Sequence, residues 1–206
     1  MNLPNKLSLL RMILVPVFMI VLALPANIMS MWLSAVIGAV LFIVASVTDC
    51  LDGKIARKYN LITDFGKLID PLADKFMVIG ALIMLLYRAT TLRALFVLVL
   101  TVVVFRELAV TAMRLITAAK SGVAVPANIL GKIKTVSQIV FVVSALIEPL
   151  IYPAAEVVAQ EVSLTRLAQL AKNPPLTLLA GGVMTVFTVW SGIHYIVALW
   201  KYIETK

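Results

Sequence analysis

The stretch GKLIDPLADKFMVIGALIMLLY, residues 66–87, decides how often this chain crosses a membrane. Its uninterrupted apolar part, Phe76 to Tyr87, is about 12 residues long, and a helix needs about 20 to cross the hydrocarbon layer. The segment is long enough only if Gly66 to Lys75 is helical too, which carries Asp70 and Asp74 into the span. A helix satisfies its own backbone polar groups and an exposed loop does not, so an aspartate-bearing helix is expected here.

The rest of the chain supports a membrane setting. Of 206 residues, 62% are apolar, and the mean hydropathy is +1.06; soluble domains use about half apolar residues. Six stretches have the length of a span, at about 7–24, 31–56, 65–87, 92–118, 127–152 and 176–202. The expected fold is therefore all-α, a polytopic membrane protein of six transmembrane helices forming one domain over residues 1–206. Pro149, Pro153, Pro174 and Pro175 bracket residues 154–173, whose Val157, Val158, Leu164, Leu167, Leu170 and Ala171 read as an interfacial helix.

A net charge of +8 would point to nucleic acid in a soluble protein. No aromatic-basic RNA motif accompanies it, and in a membrane chain cytoplasmic anchoring and anionic headgroups account for it better. With the N-terminus in the cytoplasm, 14 of the 18 Lys and Arg residues fall on inner ends and loops. Both termini are therefore expected inside. This orientation also puts the polar ends of the second to fifth helices on one side and leaves the outer half nearly featureless. The single cysteine, Cys50, cannot form an intramolecular disulfide.

All five aspartates lie between residues 49 and 74. Asp49 and Asp52 are three apart and Asp70 and Asp74 four apart, so each pair projects from one helix face. An ionisable group in a membrane helix costs about 2.5–3.5 kcal/mol on insertion scales. Carboxylates aimed at a common point also repel and partly protonate unless cations hold them. An all-oxygen set with no His or Cys ligand suits Mg²⁺, Mn²⁺ or Ca²⁺ rather than zinc. Two such ions about 3.5–4 Å apart would clamp a phosphate for in-line displacement. The neighbours fit a phosphate ligand: Gly53 and Ala56 leave one side of the helix narrow, Arg57 offers a planar fork, and Gly66 opens the facing helix. Intramembrane aspartates also build ion pathways, so a divalent-cation transporter is the reading from a different class. The apolar outer half speaks against it.

Asp49, Asp52, Gly53, Ala56, Arg57, Gly66, Asp70 and Asp74 stand as DxxDGxxAR, eight residues, then GxxxDxxxD. This pattern resembles the signature of the CDP-alcohol phosphotransferases. NLPNKLSLLRMILVP (2–16), RELAVTAMR (106–114) and GKIKTVSQ (131–138) resemble the bacterial phosphatidylglycerophosphate synthases within that family. Ser8 departs from the pattern, standing where threonine is common. The resemblance implies the CDP-alcohol phosphotransferase fold in the cytoplasmic membrane, with a cytoplasm-facing site, and a homodimer. It further implies transfer of a phosphatidyl group from CDP-diacylglycerol to sn-glycerol 3-phosphate, with two divalent ions, Mg²⁺ or Mn²⁺. Members using inositol phosphate, serine or phosphatidylglycerol as acceptor are the near alternatives.

By the same resemblance Asp49, Asp52, Asp70 and Asp74 hold metal, and Asp74 is also the general base. Asn5, Asp52, Gly53, Ala56, Arg57, Thr63 and Gly66 are the donor-binding positions. A phosphorylated acceptor needs positive charge beside the metals, for which Arg11, Arg106, Arg114, Lys132 and Lys134 are the candidates. Arg106 leads, because it lies about a dozen residues inside a span, where a charge without a purpose is costly. Its neighbour Glu107 is expected to be a poor partner, since adjacent helical residues point about 100° apart. His194, alone near Trp190 and Tyr195, reads as an interfacial or packing residue.

Overall fold

Thr63, in extended conformation with φ −116° and ψ 154°, takes the backbone N–H of Gly66 on its hydroxyl and so caps the helix that carries Asp70 and Asp74. In this computed structural model, which describes residues 2–59, 63–89, 92–121, 129–162 and 174–204, that helix runs unbroken through Pro71 to Arg88. The elements are α1 (Leu3–Ala23), α2 (Met31–Lys58), α3 (Asp64–Arg88), α4 (Arg93–Ser121), α5 (Ile129–Val162) and α6 (Pro175–Glu204). Among the described residues there is no strand. Five helices, all but α3, are apolar enough to cross a membrane by hydropathy alone. The polar first half of α3 lowers its average, yet at 25 residues it has the length.

The helices pack as two groups. α1 lies against α2 and α3, α6 lies against α4 and α5, and contacts of α2 with α5 and of α3 with α4 join them. Tilted ring pairs fill each group, Phe18 with Phe42 at 5.9 Å and Phe96 with Phe141 at 5.8 Å between centroids. Gly181 lets α6 close on α5, for a Cβ there would stand 2.9 Å from Phe141 Cε2. The outward faces are apolar, as at Ile20 (61% exposed), Phe105 (75%) and Leu108 (64%). Apolar surface exposed on every helix is what contact with a hydrocarbon layer calls for. The chain is a multi-pass membrane protein.

Two ties fix the end away from the aspartates. Arg88 donates to Ser34 Oγ (2.8 Å) and to the Met31 carbonyl (2.9 Å), joining the last residue of α3 to the first turn of α2. Glu148 of α5, 3% exposed, accepts from Leu176 N (2.8 Å), Thr177 N (2.5 Å) and Thr177 Oγ1 (2.6 Å) at the start of α6. A carboxylate there meets orphan N–H groups and the positive end of the helix dipole. Glu148→Ala is expected to destabilise the protein by about 2–3 kcal/mol, the scale of hydrogen bonds to a buried charge, and thermal unfolding in detergent measures it.

α5 departs from expectation. It continues past Pro149 and Pro153 to Val162, so residues 154–162 prolong it and do not begin a separate interfacial helix; 163–173 lie outside the described residues. The two prolines are four apart, so their missing N–H groups fall on one side of the helix while the opposite side keeps its ladder.

Candidate active site

Along one stripe of α1, at three-residue spacing, stand Asn5, Ser8 and Arg11, all buried. Each meets a polar group of α2 or α3. Asn5 Oδ1 accepts the Thr63 hydroxyl at 2.9 Å. Ser8 donates to Asp70 Oδ1. Arg11, wholly buried, donates from Nη1 to Asp49 Oδ1 (2.5 Å) and to Asp74 Oδ1. That nitrogen carries two N–H groups, so it can serve both carboxylates at once. Asp49 of α2 and Asp74 of α3 are thereby brought within reach of one atom.

Gly66 belongs to the same contact. A Cβ on it would stand 3.1 Å from Asn5 Oδ1 and 3.3 Å from Thr63 Oγ1. Its bare backbone admits α1 to the start of α3, where the sequence suggested room for a ligand. Gly53 sits one turn after Asp49 on α2 and is partly exposed, while the side chains of Asp52, Ala56 and Arg57 lie outside the described residues.

Asp49, Asp70 and Asp74 share one end of the bundle but divide their partners. Among the described residues no group of three or more metal-ligating side chains is gathered at one point. Like-charged carboxylates separate unless a cation stands between them, and Arg11 stands between Asp49 and Asp74 while Asp70 turns to Ser8. The donor chemistry still fits a hard divalent ion: the described candidates are all carboxylate oxygen, and two of them already face a common positive charge.

A cavity of about 530 Å³ opens beside this point. Asp49 and Asp74 form one wall, and the facing walls carry Arg106, Glu107 and Arg114 of α4 with Lys134 and Gln138 of α5. With Lys75, four cations face three carboxylates. Asp74 is the more accessible of the two wall aspartates, its side chain 51% exposed against 30% for Asp49. Glu107 Oε1 accepts from both Arg106 Nη1 (2.9 Å) and Lys134 Nζ. α4 and α5 are thus tied by a carboxylate that two cations share, in a setting where burial strengthens each contact.

A model of the CDP-alcohol phosphatidyltransferase family matches residues 1–200. The chain belongs to that family. A CDP-diacylglycerol–glycerol-3-phosphate 3-phosphatidyltransferase of Bacillus subtilis (strain 168) is 40% identical over 212 aligned residues, which cover 100% of this chain and 98% of that protein. An enzyme of the same name from Rickettsia bellii (strain RML369-C) is 40% identical over 146 residues, 71% of this chain and 75% of the relative.

Within this CDP-alcohol phosphatidyltransferase the basic candidates part company. Arg106, Arg114 and Lys134 line the cavity, and Arg11 and Lys132 do not. Arg11 sits behind the two aspartates as their counter-charge. Lys132 faces a separate apolar groove with Val136 and Val140, because residues two apart on a helix point about 200° apart and cannot share a face with Lys134. The Arg106–Glu107 pair, expected to be poor, forms at 2.9 Å; the long arginine stem swings round to its neighbour. Two residues take no role from the sequence alone. Gln138 follows Lys134 by one turn, and only the phase of α5 shows that both meet the cavity. Tyr195 of α6 lies under two arginines, with Arg114 Cζ 4.8 Å and Arg106 Cζ 5.7 Å from its ring centroid.

Proposed function

We propose that this chain transfers the phosphatidyl group of CDP-diacylglycerol to sn-glycerol 3-phosphate, giving phosphatidylglycerophosphate and CMP. The observation that carries the reading is the cavity, with Arg106, Arg114 and Lys134 opposite Asp49 and Asp74, in a chain 40% identical along its whole length to a Bacillus subtilis enzyme named for that acceptor. A cationic wall suits an acceptor that brings its own phosphate better than it suits serine, whose single carboxylate charge is offset by its own ammonium group.

In the mechanism the guanidiniums of Arg106 and Arg114 and the ammonium of Lys134 hold the acceptor phosphate. Asp74, the more exposed aspartate, takes the proton of the acceptor hydroxyl as the new P–O bond forms and the bond to CMP breaks. Arg11 holds Asp49 and Asp74 close together without joining the chemistry. Gly53, Arg57 and Thr63 hold the CDP part of the donor, and Asn5 positions Thr63. Asp49, Asp52, Asp70 and Asp74 would hold the divalent ions, two Mg²⁺ or Mn²⁺, which would supply positive charge to the diphosphate and to the leaving nucleotide. The chain works as a single catalytic domain and homodimer in the cytoplasmic membrane, with the site and both termini on the cytoplasmic side. The excess of basic residues on those ends supports the orientation.

The test is CMP release by the purified protein from CDP-diacylglycerol with each acceptor in turn. Glycerol 3-phosphate is expected to give a rate about 100-fold above serine, inositol phosphate and phosphatidylglycerol. Excess chelator should abolish it and Mg²⁺ or Mn²⁺ restore it. Equal rates with serine would refute the acceptor assignment, and turnover indifferent to the chelator would remove the ions. Divalent-ion flux into liposomes, with no CMP released, would favour a transporter.

A further inference from the structure

Arg106 and Arg114 are eight residues apart on α4, about 12 Å along its axis, yet both guanidiniums lie within 6 Å of one ring, that of Tyr195. Two cations do not gather unaided. The negative face of an aromatic ring attracts each of them and offsets their mutual repulsion. The ring itself is immobilised. Tyr195 is 3% exposed, and α5 turns Gly131 toward it, leaving Tyr195 Oη 3.6 Å and Cε2 3.8 Å from where a Cβ would stand. One turn earlier on the same face of α6, Gly192 makes room for Arg106, since a Cβ there would be 3.0 Å from its Cγ. The stem of Arg106 therefore rests in a gap of α6, with its head held by Glu107 on one side and near the ring on the other. No described residue of α6 lines the cavity, so this helix acts on it through the helices it packs against, α4 and α5.

We propose that Tyr195, with Gly192, is a positioning element that sets the spacing of the Arg106 and Arg114 guanidiniums and thereby selects an acceptor bearing a phosphate. The inference rests on the assignment of the cavity to the acceptor. A phosphate can engage both cations together only if they are held at a matching separation; a neutral alcohol gains nothing from the pair. The effect of losing the ring therefore falls on acceptor affinity, and donor binding and the chemical step are spared.

Tyr195→Leu is expected to raise KM for glycerol 3-phosphate about tenfold while kcat and KM for CDP-diacylglycerol stay within about twofold. Tyr195→Phe, which keeps the ring, should stay within about twofold in all three. Calorimetric titration with inorganic phosphate reads the arginine pair without turnover, and Tyr195→Leu should weaken that binding by a similar factor. Equal rises in both KM values, a Phe variant as damaged as the Leu variant, or unchanged phosphate affinity would overturn the proposal. Should Tyr195→Leu fail to fold, Gly192→Ala, which favours the helix, must shift the Arg106 stem and raise KM for glycerol 3-phosphate alone by about threefold; no change there overturns it equally. A wild-type protein that binds phosphate through these arginines but never turns over glycerol 3-phosphate would refute the acceptor reaction and leave the ring's role intact.

Discussion

Asp74→Asn is expected to lower kcat by about a thousandfold or more, the range of a lost general base compounded by a weakened ion site. The amide keeps the size and shape of the carboxylate but can neither take the acceptor proton nor carry charge. Arg11 would still be paired through Asp49, so the fold around it should survive, and binding of CDP-diacylglycerol should remain measurable by titration. Asp49→Asn is the comparison, because Asp49 shares Arg11 but is less exposed to the cavity. Near-normal turnover of Asp74→Asn would reject the base assignment; equal losses in the two variants would give Asp74 no role beyond ligation.

Arg11→Met should unfold at a markedly lower temperature than the parent protein. Removing one partner of a fully buried ion pair costs about 3–5 kcal/mol; the two carboxylates left facing one another here are 30% and 51% exposed, so solvent screening reduces the expected loss to about 1–3 kcal/mol. Methionine preserves the length and apolar stem, so packing between α1 and its neighbours is little disturbed. The loss should be largest in chelator and partly recovered by Mg²⁺ or Mn²⁺, which supply positive charge to the same carboxylates. Unfolding curves with and without divalent ions measure both effects. A variant as stable as the parent in chelator would show that the guanidinium is not what holds Asp49 to Asp74.

Hydropathy and span length were enough to place five helices, and α3 followed as the sixth because a backbone at that depth has few alternatives to a helix. What one-dimensional pattern does not contain is phase between helices. Lys132 and Lys134 look equivalent in the string GKIK, and a rotation of about 200° sends one to the cavity and the other to an apolar groove. Arg11 reads as one more cation near the cytoplasmic side; only the packing of α1 on both α2 and α3 reveals that it serves the aspartates. The continuation of α5 through Pro149 and Pro153 escaped the reading because proline breaks helices in water more surely than in a membrane bundle. Tyr195 was indistinguishable from an ordinary interfacial aromatic until its neighbours were known.

The position of Arg11 in the chain has a consequence for biogenesis. It lies on a helix that leaves the ribosome ahead of both residues it neutralises. When α2 and then α3 are handed to the lipid, a positive group is already waiting at the right depth, and neither carboxylate has to enter the bilayer as a bare anion. The order of synthesis thus brings the compensating charge before the charges it compensates.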